Sequence, residues 1–222
     1  PNGPELHRGV DDDKDQTYFL WALPRRVLPY LLFPLGELTK AEVREQAVAR
    51  GLSVAWKPSS NGLCFVAGTV RDHLAARLDE RPGPVIDVSQ GGAVVGEHRG
   101  VAFYTIGQKR GLGLWKSHLP RFVIELDAAS NTVVVGPREA CSWSALVAGR
   151  ANWLLDPSDL PSRVLAQVRY RQAPEPATLE VIDEARFALR FDDPQFAVAV
   201  GQSAVVYDGE RLLGGGVIQA RA

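Results

Sequence analysis

Cys64 stands in SSNGLCFVAG, residues 59–68, and is one of only two cysteines among 222 residues. A thiol in a glycine-containing loop beside the start of a helix has access and a way of stabilising its thiolate, the two conditions for nucleophilic sulfur chemistry. A free cysteine also serves as a small buried hydrophobe, and the residues alone leave both uses open. Three further segments carry side chains able to do chemistry. KDQTYFL holds Lys14, Asp15 and Gln16, a polar triplet that is either a helix cap with solvated neighbours or a contact for a polar ligand. FYTIGQKRGLGL sets Lys109 and Arg110 among Gly107, Gly111 and Gly113. That is a flexible cationic loop able to approach phosphate oxygens closely, or a plain hairpin tip. VRYRQ joins Arg169, Tyr170 and Arg171, pairing charge with an aromatic face as RNA-gripping surfaces do, although alternation along a barrel strand also leaves two arginines solvated.

The elements that must position these groups change character along the chain. QTYFLWAL and RRVLPYLL read as two short helices, the second opened by Pro24. In LFPLGELTKAEVREQAVARGL, Thr39 with Glu42 forms a capping box, Gly51 ends the helix, and Val43, Ala47 and Val48 share one face. SVAWK then reads as a strand and PSSNG as a turn, which leaves Cys64 after a helix-to-strand unit, where α/β proteins keep functional groups. Thr69 and Asp72 open another capped helix. Beyond Pro82, Gly83 and Pro84 the texture is β: PVIDV, AVVGEH, FVIELD and TVVVG, separated by turn signals. From about Ser144 the runs VLAQVRYR, ATLEVID, RFALRF, SAVVY and RLLGGGVIQ have the spacing of a small closed barrel, with Asp208-Gly209 as a type I′ hairpin turn.

Composition bounds the partners. The formal net charge is −1 and hydrophobic residues make up 45% of the chain, so a nucleic-acid site has to be a local patch. Cys64 and Cys141 lie 77 positions apart without metal-ligand spacing, which argues against zinc and against a structural disulfide in a reducing compartment. Cys141 reads as structural or incidental. No apolar run approaches the roughly 18 to 20 residues that cross a bilayer, and the polar start PNGPELHRGVDDDKD has no signal-peptide pattern. The expectation is a cytoplasmic protein without a membrane partner. The chain contains no methionine and begins at Pro1, so a preceding part is expected to have been removed by processing or truncation.

In order, KDQTYFL, LFPLGELTKAEVREQAVARGL, KPSSNGLCF, GEHRGVAFYTIGQKRGLGL, VRYRQ and VGQSAVVYDGERLLGGGVI resemble the MnmA/TrmU family of tRNA 2-thiouridylases, from about Arg8 to Ile218. The resemblance implies sulfur transfer to carbon 2 of the wobble uridine of tRNA. In that chemistry ATP adenylates the base carbonyl, and a cysteine persulfide delivers sulfur obtained from a donor protein. By its place in SSNGLCF, Cys64 matches the persulfide-bearing cysteine. Lys14, Asp15 and Gln16 match a tRNA-contacting segment, and Arg169, Tyr170 and Gln202 match contacts on the C-terminal barrel. Lys109 and Arg110 are added on charge and glycine content alone. The family's SGGxDSS phosphate loop and first catalytic cysteine have no counterpart in this sequence. The implied architecture is an α/β remnant of a PP-loop ATPase domain over 1–68, a central β domain over 69–143 and a small C-terminal β-barrel over 144–222. ATP is then bound mainly outside these residues, no stable cofactor or metal is expected within them, and the chain alone is expected to be inactive. The rival classes are a non-catalytic tRNA-binding module with a structural cysteine, and a barrel that docks a small ligand or a protein.

Overall fold

The computed structural model describes residues 3–58, 70–115 and 119–222. Cys64, Thr69 and the expected joint between 68 and 69 lie outside the described residues. Two units are formed: one joins the N-terminal segment up to Pro58 to the C-terminal barrel, and the other holds the intervening sheet together with Phe196–Val198.

In the N-terminal segment the two expected short helices are present as 3-10 helices, Thr17–Ala22 and Arg25–Tyr30. Each is six residues long, Pro24 separates them, and Pro29 inside the second removes a donor that a longer helix needs. Helix α1, Lys40–Ala49, has the expected ends. Thr39 Oγ1 accepts from the Glu42 N–H, and the Glu42 carboxylate accepts from the Thr39 N–H at 2.7 Å. Gly51, at φ +66°, donates to Val48 O, while Leu52 N–H reaches Ala47 O, both at 2.9 Å. These are the two bonds of a Schellman end. No residue of α1 is buried, so its apolar stripe at Val43, Ala47 and Val48 is not sealed in a core. SVAWK is a run of turns rather than a strand: Ala55 N–H bonds Leu52 O and Lys57 N–H bonds Val54 O, with Val54 62% and Trp56 75% exposed. A β-branched run becomes a strand only beside a paired neighbour, and here local turn bonds satisfy the backbone instead.

The second unit begins with α2, Val70–Ala75, and continues into four strands: β1 Gly83–Asp87, β2 Ala93–His98, β3 Phe122–Asp127 and β4 Thr132–Gly136. The sheet order is β2-β1-β4-β3, with β1 and β4 parallel and the other pairs antiparallel. Val85, Val133 and Val135 on the two central strands have no exposed surface, and Tyr104, Leu112 and Val123 complete their core. Cys141 is fully buried with Sγ 3.4 Å from the Val123 carbonyl, a core position. Asp87 ends β1 almost fully buried, accepting from Ser89 N–H, Ser89 Oγ, Gln90 Nε2 and, at 2.5 Å, Arg121 Nε.

Six strands close the barrel: β5 Ser142–Trp153, β6 Arg163–Gln167, β7 Glu175–Asp183, β8 Arg186–Phe196, β9 Ser203–Asp208 and β10 Arg211–Arg221, in the order β10-β5-β8-β7-β6-β9. Alternation places Ala177 and Leu179 of β7 and Phe187, Leu189 and Phe191 of β8 inside. The β9–β10 hairpin pairs Asp208 with Arg211, so its two turn residues are Gly209 and Glu210, not Asp208 and Gly209. Only Gly209 of these has a positive φ, 55°, the type II′ pattern rather than type I′. Residues 6–8 run along the hairpin, with Leu212 N–H bonding Leu6 O at 2.8 Å and Arg8 N–H bonding Glu210 O at 2.9 Å. The Thr17–Ala22 turn packs on β10 beside Gly215, where an added Cβ would lie 3.1 Å from Trp21 Cγ.

Candidate nucleic-acid interface

Lys14 and Gln16 are exposed at the start of the Thr17–Ala22 turn, whereas the Asp15 side chain is 10% exposed. Asp15 is held internally: Oδ1 accepts from Gly9 N–H at 3.0 Å and Oδ2 from Thr17 Oγ1 at 2.6 Å. It therefore shapes the segment that displays its two neighbours. The adjacent acidic run is also tied down, Asp12 by Arg8 at 2.6 Å and Asp11 by the Lys40 N–H at 2.8 Å. Those contacts temper the negative potential beside Lys14.

Tyr18 and Trp21 turn inward and grip β9. Tyr18 Oη donates to Ser203 O at 3.1 Å and Trp21 Nε1 to Ser203 Oγ at 3.0 Å. This brings the segment beside exposed Gln202, whose own backbone is fixed by Gln202 N–H to Ala199 O and Ile218 N–H to Gln202 O. Burial, the largest influence, pushes the Tyr18 phenol up, against the Ser203 contacts and the positive charge of Arg169.

VRYR is not a continuation of β6. The strand ends at Gln167, and residues 169–171 form a turn with Arg171 at φ +67°. A left-handed arginine is strained, and three bonds hold it in place: Gln172 N–H to Arg169 O at 3.2 Å, and Gln167 Nε2 to Arg169 O at 3.2 Å and to Gln172 O at 2.8 Å. The turn carries Tyr170 over the Tyr18 and Phe19 rings, with centroids 6.1 and 4.7 Å apart, and the Arg171 guanidinium sits 5.5 Å from the Tyr170 ring.

The Thr17–Ala22 turn, which follows Lys14 and Gln16 in the chain, is thus joined to the 169–171 turn through Tyr18, Phe19 and Tyr170 and to the neighbour of Gln202 through Ser203. Phe19 is 55% exposed, although its place in an apolar run gave no hint of a surface role. Thr17, Gln167 and Tyr207 beneath these contacts were also missed, since a buried polar residue leaves no periodic signature. Cations beside exposed aromatic rings can hold phosphate oxygens and stack bases.

Lys109 and Arg110 lie in the other unit, both exposed, with Lys109 Nζ 5.9 Å from the Phe122 ring centroid. Their loop is not free to flex as its glycines suggest. Gly107 N–H bonds Val123 O at 2.8 Å, Val123 N–H bonds Gln108 O at 3.0 Å, and Glu97 N–H bonds Gly113 O at 3.2 Å. The positive φ values of Gly107, Gly111 and Gly113 serve a pinned path.

Three domain families match this chain in succession: tRNA methyl transferase HUP domain over residues 1–68, tRNA methyl transferase PRC-barrel domain over 71–137, and aminomethyltransferase beta-barrel domain over 143–218. They define a tRNA-modifying class of protein with a HUP part and two β parts. Over 98% of its length the chain is 54% identical to the tRNA-specific 2-thiouridylase MnmA of Deinococcus radiodurans and 52% identical to that of Thermus thermophilus; over 97% it is 44% identical to that of Trichormus variabilis. The chain belongs to the MnmA family of tRNA-specific 2-thiouridylases. It spans 57% and 58% of the length of the first two of these relatives. Among the described residues, no helix is long and apolar enough to cross a membrane.

Proposed function

We propose that this chain contributes tRNA binding and the sulfur-carrying cysteine to the thiolation of wobble uridine at carbon 2. The observation that carries the reading is the 52 to 54% identity across 98% of the chain to proteins named tRNA-specific 2-thiouridylase. The meeting of the Thr17–Ala22 turn with Tyr170 and with Ser203, beside Gln202 in the chain, supports it. In this reading Lys14 and Arg169 hold backbone phosphates, Tyr170 offers its ring to a base, and Gln16 and Gln202 donate or accept at base or ribose edges. Asp15 keeps its neighbours in place. Lys109 and Arg110 form an additional cationic contact. Cys64 bears the persulfide, whose terminal sulfur attacks carbon 2 of the activated base, while a sulfur-donor protein reloads it. Residues 1–68, 69–143 and 144–222 are read as three domains, working in the cytoplasm.

ATP supplies the activation of the base oxygen, and in this reading its phosphates are bound mainly outside these residues. The N-terminus of α1, a place where phosphate can bind, is closed by the carboxylates of Glu42 and Asp11. That closed end and the lack of an SGGxDSS loop in the sequence support assigning ATP mainly to a part of the enzyme outside these residues. The chain alone should bind tRNA without thiolating it, and ATP-dependent thiolation by this polypeptide unaided would overturn that assignment. In a full-length enzyme carrying these residues, Cys64→Ser should abolish thiolation and leave tRNA affinity within about twofold. Loss of both together would make Cys64 structural.

A further inference from the structure

A polar thread runs through the barrel unit beneath the contacts just described. Asp15 Oδ2 accepts from Thr17 Oγ1 at 2.6 Å, and that oxygen lies 3.4 Å from the Tyr207 hydroxyl. Tyr207 has no exposed surface and bonds Gln167 Oε1 at 3.0 Å. Gln167 is itself buried, and its amide reaches the carbonyls of Arg169 and Gln172. Proton counting gives each link one direction. Both Gln167 amide protons go to carbonyls, so its oxygen faces Tyr207 and the tyrosine must donate. The Thr17 proton goes to the carboxylate, so Thr17 Oγ1 can only accept, as the second branch of a three-centre bond from Tyr207. Burial pushes the Tyr207 phenol up to about 12, so the donor persists at neutral pH.

We propose that Thr17, Tyr207 and Gln167 are positioning residues for tRNA binding: their buried chain joins the 14–16 segment to the 169–171 turn, so that both meet the RNA in one fixed arrangement. The proposal rests on the tRNA-contact reading above. Its physical basis is preorganisation. The strained turn at Arg171 is held open by two bonds from Gln167, and Gln167 is oriented by the same hydroxyl that touches Thr17. Once Lys14 engages a phosphate, a rigid link presents Arg169 at high effective concentration, and a loose link does not.

Tyr207→Phe keeps the ring and deletes the shared proton. The affinity of the 222-residue chain for an unmodified tRNA transcript should weaken about fivefold. Lys14→Ala and Arg169→Ala should be coupled by about fivefold in the parent and additive within about twofold in Tyr207→Phe. Equal coupling in both backgrounds overturns the proposal. Should Tyr207→Phe fail to fold, Thr17→Val serves in its place, with Thr17→Ser restoring the coupling. A second measurement needs no RNA: Thr17→Val should speed amide hydrogen exchange at residues 169–172 on the far side of the thread. Unchanged exchange overturns the link, whereas failure of the parent chain to bind tRNA overturns only the functional reading beneath it.

Discussion

At the scale of single residues, the candidate interface on the barrel unit depends on side chains that divide into those displayed and those that hold them. Tyr170 is displayed in part, its ring half-buried against the core beside Tyr18. Tyr170→Ala should reduce tRNA affinity by about 1 to 3 kcal/mol, the range for an aromatic platform under a base, while Tyr170→Phe stays near the parent value; filter binding at fixed salt distinguishes them, and an unaffected Tyr170→Ala removes the ring from the interface. Asp87, in the other unit, is a holding residue. Burial raises its carboxyl, but hydrogen bonds from Ser89 and then Arg121 outweigh that and hold it at about 2 against an ordinary 3.8. A carboxyl depressed on folding contributes stability that is complete above its unfolded value and is lost as pH falls from about 4 toward about 2. That contribution is about 2 kcal/mol. Asp87→Asn should therefore flatten the acid limb of the stability curve, as followed by urea unfolding at successive pH values. An unchanged limb would mean that Ser89 and Arg121 do not hold the Asp87 carboxylate in solution.

At the scale of elements, the local patterns of the sequence proved to be of two kinds. The Thr39–Glu42 box and the Gly51 end lie within one turn of the helix they bound, so their geometry follows from adjacent residues. Barrel strands β7 and β8 were equally legible because alternation records which face is inside. SVAWK and VRYRQ were misread where a propensity met a tertiary decision, and the short helix expected at QTYFLWAL is a 3-10 helix whose docking the sequence did not show. Trp21 and Tyr18 find their partners on Ser203, and the path of residues 169–171 is set by the Gln167 amide. The close contact at Gly215 gives this docking a direct test. A methyl there would meet Ala204 O at 2.6 Å as well as Trp21. Gly215→Ala should cost roughly 1 to 3 kcal/mol in unfolding free energy and reduce the protection of Trp21 from acrylamide quenching, whereas a neutral outcome would place the turn elsewhere.

At the scale of the whole molecule, a net charge of −1 means that any attraction to RNA comes from local arrangement rather than overall charge. Binding should weaken roughly tenfold between about 50 and about 200 mM salt, since even a few phosphate contacts release counterions. Salt-independent binding would favour a partner other than nucleic acid. Lys14→Ala and Arg169→Ala should each flatten the salt slope, whereas Gln202→Ala should lower affinity and leave the slope alone.

The sequence by itself determined the strand-rich central and C-terminal stretches, the capped helix and the ordered motifs that point to one family, because those signals are carried by neighbours and by period. Which of its polar residues meet was decided only by the tertiary structure. Thr17, Tyr18 and Trp21 contact residues 182 to 190 positions away, and no local spacing encodes such a meeting. Closure of the barrel brings β6 and β9 together, and their approach buries Tyr207 between Thr17 and Gln167, joining separate motifs.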